Sequence, residues 1–119
     1  MNGLKENKII LLPSFEREAN RLSKRYPSLR NDLTTLITSI RTNPKLGIPL
    51  GGGVYKVRFA IKSKGKGKRG GGRIISLHFE RDYELFLLSI YDKSDQETIS
   101  DGRISALVEE AMSLKLRIQ

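Results

Sequence analysis

Ser63 to Arg73 reads Ser-Lys-Gly-Lys-Gly-Lys-Arg-Gly-Gly-Gly-Arg, eleven residues with five basic side chains, five glycines and no acid. Glycine lets a backbone approach a ligand closely and reach positive φ at little steric cost. Lysine and arginine spaced through such a segment suit phosphate oxygens. Lys56 and Arg58 precede it on the polar side of an alternating run, and Tyr91 and Lys93 close an apolar run after it. These types bind a polyanion and set a phenol and an ammonium beside it. The Gly-x-Gly spacing is neither a dinucleotide fingerprint nor a P-loop, because a strand follows where a helix is required.

The whole chain carries the same bias. Its 119 residues hold 22 Lys and Arg against 13 Asp and Glu, a net charge of +9 that points to nucleic acid or another anionic surface. An apolar content of 38% at this length predicts a single domain, 1–119, with an ordinary core. The absence of cysteine excludes disulfides and thiolate metal sites. The one histidine, His78, builds neither a His-rich metal site nor a two-histidine acid–base pair. No metal and no small-molecule cofactor is expected. Ile9 to Leu12 is too short an apolar run for a signal or a membrane span, so a cytoplasmic protein without a membrane partner is expected.

The elements that must position the basic residues follow from periodicity. Ile9 to Leu12 is a short strand, ended by Pro13. Ser14 is placed to cap a helix whose stripe is Phe15, Ala19, Leu22 and Tyr26, closed by Pro27. Ser28 is placed to cap a second helix, with Leu29, Leu33, Leu36, Ile37 and Ile40 as its apolar face and Asn43-Pro44 as its end. Pro44 to Gly53 reads as a loop. Val54 to Ile61 alternates, with Tyr55, Val57, Phe59 and Ile61 on one face and Lys56, Arg58 and Ala60 on the other. Arg73 to Phe79 is the next strand and Glu80 to Glu84 a charged turn. Leu85 to Asp92, apolar on both faces, reads as a central strand. Thr98 or Ser100 opens a last helix striped by Ile104, Leu107, Val108, Ala111 and Leu114. The expected class is α+β, in the order β-α-α-β-β-β-α, with a mostly antiparallel sheet, helices on one face and the first strand at a sheet edge. Strict alternation puts Arg73 with Ile75, Leu77 and Phe79, towards the core. A bulge at Gly70 to Gly72 would turn it outward.

Three stretches carry a family resemblance: Lys56-Val-Arg58-Phe-Ala60, the Gly65-to-Ile75 junction with its Lys68-Arg69-Gly-Gly-Gly-Arg73, and Leu87-Leu88-Ser-Ile-Tyr91-Asp-Lys93. With the order of elements, they resemble the RelE/HigB branch of bacterial type II toxins within the RelE/ParE superfamily, from about Ile9 through the last helix. The family often has a small residue between the tyrosine and the lysine. Here it is Asp92, which alternation turns away from both neighbours.

The resemblance implies a RelE-like fold and a toxin that cleaves mRNA on the ribosome without metal. It also implies neutralisation by a cognate antitoxin protein. Its partners would be mRNA, the ribosome and that antitoxin. Arg58, Lys68, Arg73, Tyr91 and Lys93 become the candidate catalytic residues. Lys56, Lys64, Lys66 and Arg69 become the candidate RNA-binding residues. For Lys64 and Lys66 the plainer alternative is a solvated hairpin tip. His78, mid-strand and distant in sequence from the loop, reads as structural. Two other functions fit the same residues. One is a ParE-like toxin directed at gyrase, and the other is a ribosome-binding module without catalysis.

Overall fold

A computed structural model describes residues 6–118. The elements in chain order are β1 (Lys8–Leu11), α1 (Pro13–Arg25), α2 (Leu29–Thr42), β2 (Ile48–Gly51), β3 (Val54–Phe59), β4 (Gly72–Phe79), β5 (Glu84–Asp92) and α3 (Asp101–Arg117). Short 3-10 turns lie at Lys62–Lys64 and Glu80–Asp82. The expected α+β class holds. The segment read as a loop contains one further strand, β2, paired antiparallel with β3 at the sheet edge. Its proline and glycine hid it, since an edge strand tolerates both.

The sheet order is β1-β5-β4-β3-β2. β1 runs parallel to β5 and every other pair is antiparallel, so the first strand takes the expected edge. β5 is buried along its length apart from Glu84, as its two apolar sides require. Those two sides also correct the expectation that all helices share one face. Phe15 and Leu22 of α1 and Leu29 and Ile40 of α2 pack with Val57, Phe59, Ile74 and Leu87 on one side. Leu107 and Ala111 of α3 pack with Ile75, Leu77, Phe86 and Leu88 on the other. A strand apolar on both sides needs cover on both, and the stripe of α3 supplies the second cover.

Local capping departs from the sequence reading at the first two helices. Leu12 is the N-cap of α1 and Pro13 its first residue, the position where a missing N–H costs nothing. Ser14 is instead buried, and its hydroxyl donates to the Leu88 carbonyl at 3.1 Å. Ser28 does occupy the N-cap of α2, but its hydroxyl donates to Asp32 rather than accepting from the helix. Ser100 caps α3 by accepting from the Arg103 N–H at 3.1 Å.

The bulge lies elsewhere than expected. Gly72 to Ile75 pairs with β5 without interruption, and the register shifts between Ile75 and Ser76, where Leu88 is the extra residue of β5. Glu18 of α1 receives both the Ser89 hydroxyl (3.0 Å) and the Ile90 N–H (3.2 Å) beside it. Arg73 therefore stays on the side of Ile75 and Leu77. It needs no bulge, because α3 packs on β5 and leaves the β3–β4 end of that side open.

The glycines at the hairpin root are there for space. A Cβ on Gly71 would overlap the Phe59 carbonyl oxygen, which is backbone and cannot swing away. Gly71→Ala is expected to destabilise the fold by about 1–3 kcal/mol, the range for overpacking. Thermal denaturation against wild type checks this.

Candidate active site

Three strands bring the site together at one rung. Arg58 of β3 lies opposite Arg73 of β4, and Arg73 lies opposite Tyr91 of β5. Directly opposed residues in antiparallel strands share a face, so all three side chains stand on the α3 side of the sheet. One step along β3, Lys56 joins them on the same face. One step beyond Tyr91, Lys93 does too, its backbone N–H held by the Gly71 carbonyl at 3.0 Å. A cavity of about 450 Å3 opens here, lined by Lys56, Arg58, Arg69, Arg73, Lys93, Glu97 and Thr98.

Arg73 is the keystone of this arrangement. It is only 4% exposed. Its guanidinium donates to the carbonyls of Lys68 (2.9 Å), Arg69 (3.0 Å) and Gly72 (2.9 Å), so it folds the glycine-rich loop about itself. Burial first, and the neighbouring Arg58 second, act against its charge, while Tyr91 favours it. Two guanidiniums on one rung are a cost that an anion would remove. Tyr91 is 5% exposed, and its hydroxyl has no hydrogen-bond partner in the protein. Burial pushes that phenol upward, against the opposing pull of Arg73, so it stays protonated and available as a donor. A buried hydroxyl without a partner is costly, so the fold holds an unused donor next to Arg73.

The structure sorts the loop cations. Arg69 lines the cleft. Lys68 lines a separate cavity of about 520 Å3 on the α2 side, which Lys56 and Arg58 also border across the edge of β3. Lys66 is exposed at the tip. Lys64 is drawn away altogether. Its ammonium bonds the buried Asp92 carboxylate at 2.6 Å and the Ser94 hydroxyl at 2.5 Å, and its side chain is only 9% exposed.

Asp92 does point away from Tyr91 and Lys93, as alternation required. Its carboxylate is fully buried and receives Lys64, the Tyr26 hydroxyl (2.5 Å), Arg25 (3.3 Å) and the Ser94 N–H (2.9 Å). Burial alone would raise its pKa. The donors from Lys64, Tyr26 and Ser94 outweigh burial and hold it down to about 2. The negative charge between the two candidate catalytic residues is thus neutralised on the opposite side of the sheet, where it ties α1 and the hairpin root to the end of β5.

His78 stands on the α1–α2 side of β4, bonded to Asn7 at 3.2 Å and kept from protonation mainly by burial. It lies five residues along the strand from Arg73, about 17 Å at strand rise. It has no place in the cleft. The sequence reading missed Glu97 and Thr98, which reach the cleft from the polar segment between β5 and α3. No periodicity marks them, and only the placement of α3 brings that segment back over the sheet. Among the described residues no cluster of three or more acidic or histidine side chains could hold a metal. No helix among them is long and apolar enough to cross a membrane.

The fold is thus a mixed five-stranded sheet covered by helices on both sides, with an arginine-lined cleft at one end. The family model described as "RelE toxin of RelE / RelB toxin-antitoxin system" matches residues 14–117. The chain belongs to this RelE toxin family. A solved structure of the Escherichia coli toxin RelE, a double arginine-to-alanine mutant in the free state, superposes with a TM-score of 0.60 at 13% identity. The superposition covers 89% of this chain and 98% of that one, and it supports the fold.

Proposed function

We propose that this toxin is a ribosome-dependent endoribonuclease that cuts mRNA in the cytoplasm and so stops translation, and that a cognate antitoxin segment restrains it. The observation that carries this reading is the Arg58–Arg73–Tyr91 rung, in which Arg58 and Arg73 line a mostly cationic cleft together with Lys93 and the buried Tyr91 phenol stands next to Arg73. RNA cleavage by its own 2′-hydroxyl develops charge on the phosphate, and preorganised donors aimed at that charge are the largest usual contribution to rate. Arg58 and Arg73 supply planar guanidinium donors. Lys56 and Arg69 bind the flanking phosphates, and Lys93 adds positive charge near the leaving oxygen. Tyr91, a protonated phenol opposite Arg73 on the rung, supplies a proton to the leaving 5′-oxygen. Lys68 borders the route along the edge of β3, and Lys66 adds a general phosphate contact at the tip. Lys64 serves through its grip on Asp92 rather than by touching RNA. No step requires a metal.

End chemistry tests the reading. Fragments from mRNA bound to programmed ribosomes should carry a 5′-hydroxyl, labelled by polynucleotide kinase without prior phosphatase, and a 2′,3′-cyclic phosphate or 3′-phosphate. Fragments with 5′-phosphates would contradict it. So would intact mRNA together with inhibited gyrase supercoiling, which would favour the gyrase-directed alternative.

A further inference from the structure

We infer that Glu97 is the proton acceptor of the cleft: its carboxylate takes the proton from the ribose 2′-hydroxyl as RNA is cut. The inference rests on the endoribonuclease reading and supplies the base that the rung residues cannot.

Five of the cleft's lining residues are cations, Lys56, Arg58, Arg69, Arg73 and Lys93. Guanidinium is never deprotonated in a protein, and an ammonium accepts nothing until it loses its own proton. Tyr91 is held as a phenol by burial. The Thr98 hydroxyl is an alcohol no more basic than the group to be activated. His78 and Asp92 are both on the far side of the sheet and already bonded there, Asp95 is held by Arg25, and Asp101 lines a different cavity. Glu97 is the one carboxylate lining the cleft. It is exposed, and among the described residues it forms no hydrogen bond or ion pair that would occupy it. In a site built only to hold phosphate, a carboxylate would be a liability, since it repels the ligand. Proton abstraction accounts for its place there.

The step balances. The carboxylate removes the 2′-hydroxyl proton, and the 2′-oxygen bonds to phosphorus. The bond from phosphorus to the 5′-oxygen breaks, its electron pair stays on that oxygen, and the Tyr91 phenol protonates it. The products are a 2′,3′-cyclic phosphate and a 5′-hydroxyl. Proton exchange with water resets Glu97 and Tyr91.

The test uses single-turnover cleavage of mRNA on programmed ribosomes across a range of toxin concentrations. Glu97→Gln keeps shape and exposure, so folding is not at stake. Its maximal rate should fall about 10²–10³-fold, within the usual range for losing a general base. Its half-saturating concentration should stay equal or fall, because a repulsive charge has gone. Added formate should restore part of the rate of Glu97→Ala and leave wild type unchanged. A Glu97→Gln rate within about threefold of wild type would overturn the inference while leaving the nuclease reading intact, because a base is worth far more than that. So would a defect confined to half-saturation, which would make Glu97 a binding residue. Wild-type toxin that leaves mRNA whole would sink both.

Discussion

Arg73→Lys is expected to cleave mRNA no better than Arg73→Ala, with both about 10³-fold below wild type, at the upper end of what one preorganised donor supplies. The charge is conserved in the lysine variant, so a site that needed only positive potential would retain most of its rate. This site needs the fork. Three of the five guanidinium N–H donors already hold the carbonyls of Lys68, Arg69 and Gly72. The two that remain are fixed in direction by those three. A lysine ammonium on a flexible stem can neither satisfy three carbonyls nor keep a constant aim. The loop then loosens, and Arg69 leaves its position over the cleft. Single-turnover rates for the three proteins check this, with circular dichroism to establish the folded fraction. A lysine variant at wild-type rate would reduce Arg73 to a point charge and contradict the role given to it.

Asp92→Asn has the largest expected effect on stability. The wild-type carboxylate is fully buried, and Lys64 beside it is nearly so. An amide leaves the Lys64 ammonium buried without a countercharge, and breaking one side of such a pair costs about 3–5 kcal/mol. That is a large part of the roughly 5–15 kcal/mol that holds a domain folded. The pH dependence follows from the folded pKa of about 2, which lies below the ordinary value of 3.8. A carboxyl with a depressed folded pKa contributes its full stability above the unfolded value and loses it as pH falls through the folded one. Wild type should therefore lose this contribution between about pH 4 and pH 2, and the stability gap to Asp92→Asn should narrow over that window. Denaturant melts at pH 7, 4 and 3 measure it. A gap that stays constant with pH would mean that the carboxylate is not charged in the fold.

The legible parts of this fold were those set by periodicity within a single element. Val54 to Phe59 alternates because one side packs on α1 and α2 while the other bears Lys56 and Arg58. β5 reads as central because both its sides are apolar. The same doubly apolar strand already implied cover on both sides, yet which helix covers which side depends on where the chain crosses the sheet edge. No local pattern encodes that, and α3 lies on the second side only because of how the chain crosses the sheet. Alternation alone places Arg73 with Ile75 and Leu77, on a side that reads as covered. α3 covers only part of that side, so the same alternation delivers Arg73 to an open cleft. Lys64 and Lys66 look alike in sequence, and only the buried carboxylate at Asp92 separates them. Glu97 has no signature at all, since a lone acid in a polar connection acquires meaning only from what surrounds it in space.

Primer extension on mRNA from purified, translating ribosomes tests the central claim most directly. Wild-type toxin should produce new 5′ ends within translated codons. Those ends should be absent without ribosomes and absent with Arg73→Ala. Identical transcripts from wild type and Arg73→Ala would contradict the account.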